Sequence, residues 1–213
     1  MKKLFLLFTL LLFTGVILAQ DYPTPEYNNE ICLYKKDSSK LMRLEKGSSK
    51  METKAKMMGI GGMENGYTLD GEKSTVRISN GDNLTFVISS GSTSNLTPEA
   101  DSAMKAGGMD LSAMQNGPMS MMNDPSHNTT LYSMSSEKGK RKILLGSASG
   151  MNLFGKAKKL STKYTLSVKK VKDNYYLISV DKKLPKGEYA FVTMSLMDMD
   201  ASGSYLMFAF AVD

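Results

Sequence analysis

The chain has 213 residues, 41% of them hydrophobic, and carries 27 Lys and Arg against 21 Asp and Glu, a formal net charge of +6. That length is enough for one domain with a real core. A single cysteine, Cys32, excludes an internal disulfide, and a single histidine, His127, excludes a histidine cluster for zinc.

Lys2 and Lys3 precede an uncharged run from Leu4 to Leu18, and Ala19 offers a small residue behind which a signal peptidase cuts, leaving Gln20 first. The run is shorter than the roughly 20 apolar residues of a spanning helix, and Cys32 lies too far downstream to carry a lipid anchor at the cut. Residues 1–19 therefore read as a signal peptide and 20–213 as a single β-sandwich domain, periplasmic or extracellular, with no transmembrane span after cleavage. The mature charge falls to +4 and is uneven. From Leu131 to Ala190 there are fourteen basic and four acidic residues, against eleven and fourteen from Gln20 to Thr130.

Short alternating runs broken by turn signals dominate. Ile31 to Lys35 and Leu41 to Lys46 read as strands. Tyr67 to Asp70, Ser74 to Ser79 and Leu84 to Ile88, separated at Gly71 and Asn80-Gly81, read as a three-stranded meander. From Ser89 to Asn128 the chain is rich in Ser, Gly, Asn, Asp and Met, with almost no β-branched or aromatic residues. A connection of this length is expected to be a flexible, irregular insertion that the core does not need. Within it, Thr97-Pro98-Glu99 is placed to cap a short helix to Ala106. Leu131 to Met134 and Lys142 to Leu145 follow as strands. Tyr164 to Lys169 and Tyr175 to Val180 form a hairpin across Lys172-Asp173-Asn174. After the Leu184-Pro185-Lys186-Gly187 turn, Glu188 to Leu196 and Tyr205 to Val212 form the last hairpin, whose second strand is apolar on both faces. The expected fold is all-β, an antiparallel sandwich of about ten to twelve strands with one long insertion.

Several motifs bear a resemblance to an uncharacterised family of exported β-rich proteins common in Bacteroidota. They are Ala19-Gln20 ending the signal, Ile31-Cys32-Leu33-Tyr34, Gly71-Glu72-Lys73-Ser74 running into Val76-Arg77-Ile78, Asp124-Pro125-Ser126, Leu131-Tyr132, Lys138-Gly139-Lys140-Arg141, Leu184-Pro185-Lys186-Gly187-Glu188-Tyr189-Ala190-Phe191, and Phe208 to Asp213. The resemblance implies a secreted β-rich domain and supplies no activity. The methionine-rich insertion departs from it.

The catalytic inventory is thin. Cys32 lies in an apolar strand-like run, as a buried structural thiol does, rather than as a nucleophile with His127 as base. Gly146-Ser147-Ala148-Ser149-Gly150 lacks the central serine of an esterase elbow. Met104, Met109, Met114 and Met119 recur every five residues. Thioethers suit Cu(I), so these four are a candidate soft-metal set, set against a plain linker in a chain with eleven more methionines outside the 104–122 cluster from Met42 onward. Asp198, Asp200 and Ser202 with Gly203 copy the opening of a calcium loop, but Ala209 stands where its bidentate glutamate belongs.

These readings lead to an exported non-enzymatic envelope protein that binds or presents a surface and needs no cofactor. Its candidate surface is Lys138, Lys140, Arg141 and Lys142 with Lys156, Lys158 and Lys159, which suits anionic polysaccharide or other envelope components and, after export, not nucleic acid. The alternatives are copper binding through the insertion, or a hydrolase whose carboxylates meet only in the fold. Lysines that merely solubilise strand edges are the plainer explanation of the charge.

Overall fold

The computed structural model describes residues 22–55, 62–81, 83–90, 106, 124–148, 159–194 and 204–213. They form fourteen strands and one short helix, and twelve of the strands exceed two residues. The fold is an all-β sandwich of two sheets, antiparallel except for one short parallel pair.

The strands are β1 (Ile31–Lys35), β2 (Lys40–Arg43), β3 (Glu45–Ser49), β4 (Glu52–Ala55), β5 (Met63–Asp70), β6 (Arg77–Ile78) and β7 (Thr85–Ser89). After helix α1 (Pro125–Asn128) come β8 (Thr129–Glu137), β9 (Lys140–Ala148), β10 (Lys163–Tyr164), β11 (Leu166–Lys172), β12 (Tyr175–Val180), β13 (Gly187–Thr193) and β14 (Tyr205–Val212). One sheet runs β11-β12-β7-β1-β2. The other runs β3-β14-β13-β8-β9-β5-β4, with β10 beside β8 and β6 beside β14.

Two bent strands join the sheets. The chain passes from β2 to β3 through Leu44 alone, and from β10 to β11 through Thr165 alone, so each path starts in one sheet and finishes in the other. Strands that switch sheets in this way make the corners of a sandwich around its core. Between the sheets lie Ile31, Leu33, Phe86, Ile88, Leu131, Ile178, Phe191, Phe208 and Phe210. Phe86 meets Phe191 edge-on, with ring centroids 4.8 Å apart.

The larger sheet then curls on itself. Along β8, β13 and β14 alternate residues point to opposite faces. Leu131, Phe191, Phe208 and Phe210 face the first core, while Tyr132, Met134, Ala190, Val192, Met207 and Ala209 face a second, completed by Tyr67, Leu69 and Ile143. The three strands are a shared wall, which is why β14 reads as apolar on both faces. The curl brings β5 back to β3, where the Thr68 amide donates to Ser49 Oγ at 2.9 Å. Gly47 leaves room there for Leu69, one methyl of which would stand 2.7 Å from a Cβ on it.

The expected hairpins β11–β12 and β13–β14 form with shifted bounds: Tyr164 belongs to β10 in the larger sheet, β11 runs on to Lys172, and β13 ends at Thr193, with the expected Ser195-Leu196 end outside the described residues. The meander does not form. Of Ser74 to Ser79 only Arg77–Ile78 is strand, and it pairs parallel with β14; β5 pairs with β4 and β9, and β7 with β1 and β12. Turn chemistry marked where the chain reverses, but partner choice belongs to the burial of each strand. Val87 and Phe86 on β7 have apolar cover on both faces only in the middle of the smaller sheet. Inside the 89–128 insertion, Asp124 caps α1 through an oxygen that accepts from the Ser126 amide at 2.8 Å. The expected helix from Thr97 lies outside the described residues, apart from its end at Ala106.

Candidate functional site

The β8–β9 hairpin carries four of the expected basic residues. Its turn is Lys138-Gly139, both with positive φ (55° and 77°), the geometry of a two-residue hairpin that matches strand twist. Lys138 is exposed at the tip, and Lys140 is exposed beside Asp70 with Nζ 3.2 Å from its carboxylate. Lys142 is half-buried, pairs with Glu137 at 3.2 Å, and borders a shallow groove that also contains Glu52 and Glu64. Lys54 lines the same groove and pairs with Glu52 at 2.7 Å, so acidic and basic groups balance there and the groove offers an anion no basic excess.

Arg141 is a correction to the surface set, because its side chain is only 1% exposed. The register sets Arg141 opposite Leu69 and Ser136 and turns it inward with Ile143, into the end of the second core. Both its terminal nitrogens bond Glu45, Nη1 at 3.0 Å, while Nε donates to Gly71 O and Nη2 to Asp70 O, each at 3.1 Å. Glu45 also accepts from Ser74 Oγ at 2.6 Å and from the Thr75 amide. Glu188 takes the Ser74 amide and reaches Arg77, which clasps Asp213. Burial pushes the Glu45 carboxyl up, but hydrogen bonds from Arg141 and Ser74 more than offset this and hold it below the ordinary carboxylate range. This network fastens the 71–77 loop and the end of β14 to the half-barrel. A guanidinium whose donors are already used, and which is out of water, offers nothing to a glycan.

Lys159 is exposed just before β10; Lys156 and Lys158 lie outside the described residues. The structure adds a basic strip that the expected set omits. β11 has only β12 beside it in its sheet, and Lys169, Lys170 and Lys172 on it are exposed, with Lys163 exposed in β10. The seven residues of β11 extend over about 20 Å. Leu166 and Val168 pack toward the core and fix the alternation, and a register shift between Lys170 and Lys172 breaks it where the lysines crowd. Lys170 pairs with Asp173 at 3.0 Å, and α1 packs against this strand with Asp124 near Lys170. The signal was present in the sequence as three lysines in four positions.

The remaining candidates gain no geometry. Met104, Met109, Met114 and Met119, and likewise Asp198, Asp200 and Ser202, lie outside the described residues. Among the described residues no group of three His, Cys, Asp or Glu side chains is placed to hold a metal ion. Cys32 is buried, and burial followed by the nearby Glu30 charge pushes its thiol up to about 11, leaving little thiolate at neutral pH. The described part of the chain contains no helix long and apolar enough to cross a membrane. Neither a protein-family model, nor a curated protein, nor a solved structure matches the chain.

Proposed function

We propose that this is an exported, non-enzymatic envelope protein that holds anionic polysaccharide by charge along the basic bent strand β10–β11, which runs from the larger sheet onto the edge of the smaller one. The reading joins the sequence expectation of a signal peptide to one structural observation, the exposed Lys163, Lys169, Lys170 and Lys172 on the bent strand β10–β11. Lys138 and Lys140 at the β8–β9 tip are a second, smaller contribution. A linear polyanion suits a row of flexible ammonium groups because each contact is a point charge and needs no shaped pocket.

Edge lysines also deter strand-to-strand aggregation, and that role predicts no ligand. Retention on a uronic-acid or sulfated-polysaccharide resin separates the two. Glutamine at Lys163, Lys169, Lys170 and Lys172 together is expected to shift elution to markedly lower salt, and glutamine at Lys138 and Lys140 to shift it less. Unchanged elution of the four-glutamine variant, accompanied by a rise in aggregation, would leave edge protection as the role of these lysines.

A further inference from the structure

Lys169, Lys170 and Lys172 on β11 do not stand in one row. Residues directly opposite one another in an antiparallel pair project to the same face, so the register with β12 sorts the three. Lys169 stands opposite Leu177, and Lys172 opposite Tyr175. Both partners belong to the apolar cluster on the outer face of the smaller sheet, with Cys32, Tyr34 and Val87. Lys170 stands opposite Tyr176, which packs on the core between the sheets together with Leu166 and Val168. In an unbroken strand Lys170 and Lys172 would share a face, because facing repeats every two residues. The irregular step sets Val171 as an extra residue between them, and so turns Lys172 out to the face of Lys169.

The neighbours of these lysines differ as well. Lys170 pairs with Asp173 at 3.0 Å and has Asp124 nearby. Among the described residues no carboxylate pairs with Lys169 or Lys172. The Lys172 ammonium lies 5.2 Å from the centre of the Tyr175 ring, and that ring is buried and tied by its hydroxyl, which donates to Pro23 O at 2.9 Å. A cation over an aromatic face is steadied without losing its charge. Leu177 and Tyr175 are two residues apart, so the two lysines opposite them start about 7 Å apart on one face.

We propose that Lys169 and Lys172 are the pair that grips a polyanion on β11, each meeting a neighbouring acidic group of the same chain, and that the extra residue Val171 is what places them together. The inference rests on the polysaccharide proposal and narrows it to two side chains and one face. Lys170 is committed to Asp173, and Lys163 stands opposite Tyr132 in the larger sheet.

The test compares variants of equal charge for binding to a soluble uronic-acid polysaccharide at low salt. Lys169→Gln with Lys172→Gln removes two positive charges, and so does Lys163→Gln with Lys170→Gln. Charge counted without regard to position predicts equal losses. The first pair is expected to weaken binding about tenfold and the second about twofold or less. A third variant, Val171→Lys with Lys172→Val, keeps composition and net charge but takes one ammonium off the outer face, and is expected to lose about threefold. All these positions are exposed, so an unchanged urea unfolding midpoint is expected for each variant. Equal losses from the two glutamine pairs, or a larger loss from Lys163 and Lys170, would overturn the gripping pair. Wild-type affinity in the exchanged variant would overturn the role of Val171. In both cases the polysaccharide proposal survives, whereas absence of binding by the wild type would overturn that proposal and the pair with it.

Discussion

Arg141 shows how much a single buried side chain can decide. In the sequence it is one of four basic residues at a hairpin tip, and nothing local separates it from Lys140 or Lys142. The fold separates them through strand parity, because the inward-facing place on β9 is also where Glu45, from a distant strand, supplies the compensating charge. A buried ion pair of this kind adds little net stability over an apolar pair, but removing one partner strands the other. Arg141→Met should therefore destabilise the protein by about 3–5 kcal/mol in urea unfolding, while Arg141→Met with Glu45→Leu should recover much of that loss. Glu45 also sets a pH dependence. Its folded carboxyl titrates below its unfolded value, so its contribution is complete above the unfolded value and is lost as pH falls through the lowered folded one. The melting temperature of wild type should accordingly drop in the acid range below the ordinary carboxylate pKa, and Glu45→Gln should flatten that part of the profile. A wild-type curve unchanged by Glu45→Gln would mean that the network does not hold the loop.

At the scale of elements, most strands and the two C-terminal hairpins were legible in the sequence, and the partners of the earlier strands were not. A short run rich in aromatic and branched apolar residues between turn signals marks a strand, and Tyr175 to Val180 and Tyr205 to Val212, the latter apolar on both faces, needed no more than that. Partnership depends on which faces are buried, and β5, β6 and β7, consecutive in the chain, end in three different neighbourhoods for that reason. The same limit hid the basic strip, since a run of lysines does not reveal that its strand will stand at an edge. The curl of the larger sheet depends on another feature with no local signature. At the irregular step between β5 and β9 the backbones come so close that a Cβ on Gly66 would stand 1.8 Å from Ile143 O. Gly66→Ala must push the strands apart, with an expected cost of about 1–3 kcal/mol, as for overpacking. Equal unfolding midpoints for Gly66→Ala and wild type would show that the half-barrel tolerates a wider gap there.

For the whole molecule, the two cores share the wall β8-β13-β14, and among the described residues both are built from outside the long insertion. Deleting Ser92 to Met122 should therefore leave the melting temperature within a few degrees of wild type, because shortening a loop changes closure entropy only logarithmically. A larger fall, measured by calorimetry, would show that the insertion packs on the sandwich. The deletion also removes Met104, Met109, Met114 and Met119, so intact polysaccharide binding by the deleted protein would assign that binding to the sandwich itself. The central claim, that the basic edge holds an anionic polymer by charge, is tested most directly by the affinity of the mature protein for a uronic-acid polysaccharide across a salt series. Exposed charge contacts are screened over about 8 Å at physiological ionic strength. Wild type should therefore lose affinity steeply as salt rises, and glutamine at Lys163, Lys169, Lys170 and Lys172 should lower affinity at low salt and flatten the slope. Binding with the same affinity and the same salt slope in both proteins would contradict the account.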